Sequence, residues 1–222
     1  MSAGLGADLG VAAAAFVGTN VDNCVVTMAM VAGAPLERAR RIAAGQVFGF
    51  AVLVAVSAAA AAVLFEFSTA VVGLLGLVPL AIGVQGLIGL ARRPTAEADA
   101  DVAAAATAAS GRWRRFRRGR STPEQRAVGR SFTAAALVTI AAGGDNLAVY
   151  IPLFRVGGAT NLGAVVAVFL VGEALVTWVI LTGGRHPKAR GVMLRLGHFA
   201  VPILLCCIGV LVMVQAGTFS LL

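Results

Sequence analysis

Apolar residues run through this chain in long unbroken blocks. They follow neither the stripe of an amphipathic helix nor the alternation of a half-buried strand. Six blocks, about 9–32, 43–65, 68–91, 131–154, 160–182 and 197–220, each approach the roughly 20 residues that a helix needs to cross a bilayer. A large soluble core would place polar faces between its apolar stripes, and these blocks have none. Lipid offers backbone groups no partner, so each block is predicted to be helical. The pattern therefore predicts an all-α membrane protein with six transmembrane helices.

Composition agrees. The chain is 59% hydrophobic and only 13% charged, against about 25% charged in an ordinary soluble domain. Met1 to Asp8 lacks the basic region that opens a cleavable signal, and none is expected. Cys24, Cys206 and Cys207 fall inside apolar blocks, which gives no disulfide framework. The two histidines, His186 and His198, lack metal-ligand spacing.

The net charge of +8 changes the picture only through its placement. Arg38, Arg40 and Arg41 follow the first block. Ten arginines, from Arg92 to Arg130, lie between the third and fourth blocks. Arg185, Lys188, Arg190 and Arg195 follow the fifth. All but one of the 18 basic residues thus fall on one side of the membrane, and Arg155 stands alone on the other. By the positive-inside rule the basic side is cytoplasmic, and both termini lie outside the cell membrane. The second half of the linker 92–130 carries GRWRRFRRGR, residues 111–120. Trp113 and Phe116 among those arginines suit anionic lipid headgroups. Charge confined to membrane loops does not call for a nucleic-acid partner.

The chain also repeats. At an offset of 123 residues without a gap, Asp22 falls on Asp145, Asn23 on Asn146, Gly49 on Gly172, Pro79 on Pro202 and Gly86 on Gly209. Glycine matches arise by chance, but an Asp-Asn pair and a proline sharing that offset are harder to dismiss. Each unit holds three spans, an odd number, so the second copy enters the membrane inverted. The expected organisation is a three-helix repeat at 1–91, a cytoplasmic linker at 92–130 and a second three-helix repeat at 131–222.

Three acids fall deep in the predicted spans: Asp22, Asp145 and Glu173. A carboxylate at bilayer depth costs several kcal/mol (roughly 2.5 or more), so it usually faces a cavity and has a task. A single such acid can also simply hydrogen-bond across helices. Two related by repeat symmetry are better explained by a shared site at the midplane. Gly18, Thr19 and Asn20 precede Asp22, and Gly143 and Gly144 precede Asp145. Glycine weakens a helix, and Asn and Asp compete for local backbone groups, so a break with free carbonyls is expected at each. Asp22, Asn23, Asp145 and Asn146 then form an oxygen-rich site for a divalent cation. Thr19, Asn20, Gly143, Gly144, Glu173 and Cys24 are accessory candidates. Glu173 has no acidic mate, since its repeat position is Phe50, and proton coupling is the role considered for it. Cys24, two residues from Asp22, points elsewhere on a regular helix and is expected to pack. Cys206 and Cys207 are expected in the core.

TNVDN (19–23), LLGLVPLAIG (74–83) and AAGGDNLAVYIPLF (141–154) resemble the cadmium resistance transporter family of the lysine-exporter superfamily. The resemblance spans nearly the whole chain outside the central loop. It implies a six-span secondary transporter that exports a divalent heavy metal, cadmium, from the cytoplasm and confers metal resistance. Asn23 stands where that family often has a second acid, and Ala142 where it often has Asn. Each departure removes a potential ligand.

The chain has no GxxxxGK[ST] nucleotide motif. Moving a dication out against a negative-inside potential costs about 4.6 kcal/mol per 100 mV. Inward proton flow is the simplest source of that energy. The expected partners are therefore a divalent metal ion, protons and membrane lipids, with no resident cofactor and no catalysed reaction. A homo-oligomer is compatible with the sequence. An exporter of an amino acid or organic cation would also suit two facing carboxylates. A membrane thiol–disulfide electron carrier fits poorly, because it needs a cysteine in both halves and Cys24 maps onto Leu147.

Overall fold

The computed structural model describes the backbone of residues 2–32, 34–68, 72–92, 123–144, 146–156, 158–182 and 187–218. Side chains are described for these except 2–5, 7, 22, 91–92, 123–130 and 187–199. Most of the linker, including Trp113 and Phe116, lies outside the described residues. So does Asp145, and of Asp22 only the backbone is described.

Among the described residues there is no strand. The helices are α1 (Ser2–Val31), α2 (Leu36–Val63), α3 (Leu77–Arg92), α4 (Pro123–Ala142), α5 (Asn146–Val156), α6 (Leu162–Thr182) and α7 (Pro187–Gln215). Single 3-10 turns at Leu64–Glu66 and Leu74–Gly76 close α2 and open α3. Two stretches, Leu36–Glu66 and Leu162–Thr182, are each long and apolar enough to cross a membrane. Two bent pairs, Asp8–Val21 with Asn23–Val31 and Ser131–Ala142 with Asn146–Val156, raise the number to four if each pair is one span. Leu74–Leu90 and Ala200–Gln215 are apolar but shorter.

The distribution of side chains is that of a protein solvated by lipid. Trp178 is 64% exposed and Val171 58%, while on the same helix Glu173 is 1% exposed. Asn20, Gln46 and Ser57 are buried as deeply, and Phe48, Val56 and Val63 face outward. In water such an apolar surface would aggregate, whereas hydrocarbon solvates it. The chain is an all-α membrane protein. Cys207 belongs to the outward face and Cys206 is half-buried, so neither is a core residue as the sequence suggested. They lie on a helix whose buried face is carried by Leu205, Ile208 and Val212.

Packing follows small residues, because lipid tails are as apolar as the helices and only close fit favours association. α2 lies along α4 and α5, α3 along α7, and α1 against α6 and α7. A Cβ at Gly49 would sit 2.6 Å from the Ala136 carbonyl oxygen, and one at Gly172 would sit 2.7 Å from the Phe16 ring. Gly76, in the turn that opens α3, and Gly209 of α7 face one another in the same way. At one end of the bundle, Arg155 donates to the carbonyls of Leu64 (2.8 Å) and Phe67 (3.0 Å) and lies over the Phe65 ring. It thereby clamps the turn that closes α2, where the Leu64 carbonyl also accepts from the Phe67 N–H at 3.1 Å. Gly49→Ala should push α2 off α4 and cost about 1–3 kcal/mol, the usual range for overpacking. A thermal melt in detergent reads this as a lowered midpoint, while Gly144→Ala, with no atom nearer than 3.9 Å, should leave the midpoint in place.

Candidate cation site

Both acids that the sequence singles out fall at a change of helix direction. The axes of Asp8–Val21 and Asn23–Val31 differ by 50°, and those of Ser131–Ala142 and Asn146–Val156 by 70°. The two bends have different local causes. Around residue 22 the helix is not unwound, contrary to the expectation of free carbonyls at 18–20, and α1 continues to Val31. Thr19 Oγ1 donates to Ala15 O (2.8 Å), Asn20 Nδ2 to Phe16 O (2.9 Å) and Thr27 Oγ1 to Asn23 O (2.9 Å). Such bonds back to the preceding turn widen one side of a helix and bend it. At the second position the helix does stop. Gly143 still bonds Thr139 O at 2.8 Å, but α4 has ended at Ala142 and α5 begins at Asn146. Gly143 fits under Leu53 with no room for a Cβ, and Gly144 is exposed.

The two bent spans meet. The Tyr150 hydroxyl, four residues into α5, lies 3.0 Å from Thr19 Oγ1 and accepts from Asn20 Nδ2 at 3.1 Å. Its ring is held edge-on to Phe169 at 4.7 Å and stacked with Phe154 at 5.9 Å. Phe16 and Phe50 complete this aromatic cluster. Tyr150 thus joins the residues of this junction through its hydroxyl, from the fourth apolar block. Its position four residues past Asn146, one turn along the same face, was the available signal.

Two amide oxygens on α1 have nothing to accept. Asn20 Oδ1 and Asn23 Oδ1 are buried without a hydrogen-bond partner. A buried acceptor left unpaired costs about 1–3 kcal/mol, so an orphan of this kind needs an explanation. Amide oxygens beside carboxylates are normal ligands for a large divalent cation. Asn146 is buried at the start of α5. Cys24 is buried with Met28, Ile42 and Ile180 in an apolar cluster. Among the described residues, no three His, Cys, Asp or Glu side chains come together; the Asp22 and Asp145 side chains lie outside them.

Glu173 is buried against α2, where Gln46 Nε2 donates to its Oε1 at 3.0 Å and Thr177 Oγ1 lies 3.4 Å from the same atom. Sequence reasoning missed Gln46, a lone amide in the second apolar block.

Residues 16–103 and 121–222 match the sequence pattern of a family described as cadmium resistance transporter. The chain belongs to the cadmium resistance transporter family. The match takes in both bends, the Tyr150 junction and Glu173, and leaves out 104–120 in the linker. No curated protein and no solved structure matches the chain significantly. Membership makes the chain a transporter associated with metal resistance, and the lipid-facing surface makes the membrane its place.

Proposed function

We propose that this cadmium resistance transporter exports a divalent heavy-metal cation, cadmium first, from the cytoplasm across the plasma membrane in exchange for protons. The cation binds where the two bent spans meet, between Asp22 and Asp145, with Asn23 and Asn146 beside them and Asn20 and Thr19 in support. One observation carries this reading: two helix bends, 50° and 70°, at acids 123 residues apart in the chain. Bent or broken helices at mid-membrane are how transporters present oxygens to ions.

The proposed architecture is six spans in two inverted repeats, 1–91 and 131–222, joined by a cytoplasmic linker at 92–130. Repeat-related contacts support it. Gly49 packs on Thr139, and the image of that pair at the same offset is Gly172 on Phe16, which also packs. The shorter Leu74–Leu90 and Ala200–Gln215 are the third spans of the two halves in this reading.

Cells expressing the chain should tolerate cadmium better than empty-vector cells and accumulate less of it. Zinc, manganese, cobalt and a quaternary ammonium compound complete the panel. Protection against the ammonium compound alone would replace metal export with organic-cation export. Shortening 97–120 should leave cadmium tolerance intact, since the family match omits most of that stretch. Loss of tolerance in a well-inserted deletion would give the linker a part in transport.

A further inference from the structure

Glu173 and Gln46 form a contact that the cation site does not use. Both are 1% exposed. Their bond satisfies one atom of each, Gln46 Nε2 and Glu173 Oε1, at 3.0 Å. The two atoms left over, Glu173 Oε2 and Gln46 Oε1, are both buried and both lack a hydrogen-bond partner. Both are acceptors while the carboxyl is ionised, and neither can help the other. A single proton on Oε2 turns it into a donor, while Gln46 Oε1 is an unpaired buried acceptor on the amide already bonded to the same carboxyl. Such a proton removes the buried charge and gives each orphan the kind of partner it lacks. A carboxylic acid and a primary amide joined at both arms are a complete pair.

The neighbourhood offers the ionised form no counter-charge among the described residues. α6 carries no other ionisable side chain. α2 has Glu37, Arg38, Arg40 and Arg41 in its first two turns, all exposed. α1 contributes the buried Cys24, and its Asp22 side chain is not described. α5 contributes Tyr150, whose hydroxyl is held by Thr19 and Asn20, and Arg155, which is spent on the carbonyls of Leu64 and Phe67. A lone buried carboxylate in such surroundings takes up a proton rather than remain charged.

The repeat supplies an independent reason to separate this acid from the cation site. At the offset of 123, Gln46 maps onto Phe169 and Phe50 onto Glu173. The image of the Gln46–Glu173 contact is therefore the contact of Phe169 with Phe50, and those rings do stack, 6.5 Å apart. One pair of positions holds an acid and an amide in one half and two aromatic rings in the other. Asp22 and Asp145 occur in both halves, as a shared site requires, whereas Glu173 occurs in one. Along the helices the pair lies between two apolar plugs. Phe50 and Phe169 are one turn away on one side, and Ile42, with Cys24 and Ile180, lies on the other.

We infer that Glu173, positioned by Gln46, is the proton-binding site of the transport cycle, distinct from the cation site, and that it holds a proton on Oε2 in this state. The inference rests on the export reading above and names the group that carries the exchanged proton. The step is a simple protonation: the carboxylate gains H+ when open to one side and loses it when open to the other, with no change of oxidation state.

The test uses the full chain in vesicles with a trapped pH dye and a cadmium gradient. Wild-type protein should show both cadmium–cadmium exchange and cadmium-driven proton movement. Glu173→Gln, which imitates the protonated acid, should keep the exchange and reduce proton movement to that of empty vesicles. Proton movement at the wild-type rate in Glu173→Gln overturns the inference. Loss of exchange together with proton movement in a well-folded Glu173→Gln also overturns it, because Glu173 then belongs to the cation site. Cadmium exchange without proton movement in wild type overturns the inference and leaves export standing. No exchange of any metal in wild type removes the export reading itself. Infrared difference spectra give a readout that needs no transport. One protonated-carboxyl carbonyl component should be present in wild type, lost in Glu173→Gln and shifted in Gln46→Leu. Retention of every component in Glu173→Gln contradicts the assignment.

Discussion

Asp22→Asn and Asp145→Asn should each abolish cadmium resistance while leaving insertion into the membrane intact. Asparagine keeps the shape of aspartate and removes one negative charge. A dication in a low-dielectric site then faces one carboxylate where it faced two. Removing one partner of a buried charge pair costs about 3–5 kcal/mol, a loss of some hundredfold or more in affinity. Asp→Glu keeps the charge on a longer arm and should weaken resistance less. Asn23→Ala and Asn146→Ala should be milder again, because water can replace a neutral oxygen. The measurement is growth against a cadmium series, with membrane levels of each variant checked by blotting. Full resistance in a well-expressed Asp22→Asn or Asp145→Asn cell line would remove that acid from the site.

Tyr150→Phe should have the next largest effect. The Tyr150 hydroxyl links the bent spans through Thr19 at 3.0 Å and Asn20 at 3.1 Å. Phenylalanine preserves the ring packing against Phe154 and Phe169 and deletes only the link. Two net hydrogen bonds are worth about 1–3 kcal/mol, so cadmium affinity should fall about tenfold. Thr19 and Asn20 keep their bonds to Ala15 and Phe16, so the bend in α1 should persist, and the melting temperature should fall by no more than the two lost bonds contribute. Equilibrium binding of radioactive cadmium in detergent reads the first effect, and a thermal melt reads the second. An unchanged affinity would make Tyr150 a packing residue.

Much of this organisation is legible in the sequence, and the failures have physical causes. The apolar blocks locate the apolar helices but not the helix ends. α2 begins at Leu36 rather than near 43, α4 at Pro123 rather than near 131, and α7 at Pro187 rather than near 197. All three extensions enter the basic segments. Hydropathy marks where a helix enters hydrocarbon, and the helix itself continues into the polar layer, where water and headgroups tolerate it. The fourth predicted span is two helices, and Gly143-Gly144 signalled that break. The bend at residue 22 was foreseen for a different reason, since hydroxyl and amide bonds to the preceding turn cause it and no residue unwinds. The Gln46–Glu173 contact could not be read directly. It joins residues 127 apart in the chain, and the repeat gives its image as two phenylalanines.

In the proposed mechanism Asp22 and Asp145 hold one ion between them. The direct measurement is cadmium stoichiometry and affinity by equilibrium dialysis of purified wild-type protein, both single Asp→Asn variants and the double variant. A shared site predicts one cadmium per wild-type chain, loss of that ion in either single variant, and a double variant no worse than the singles. Two ions in wild type, with each single variant keeping one at wild-type affinity, would mean two separate sites and contradict the account.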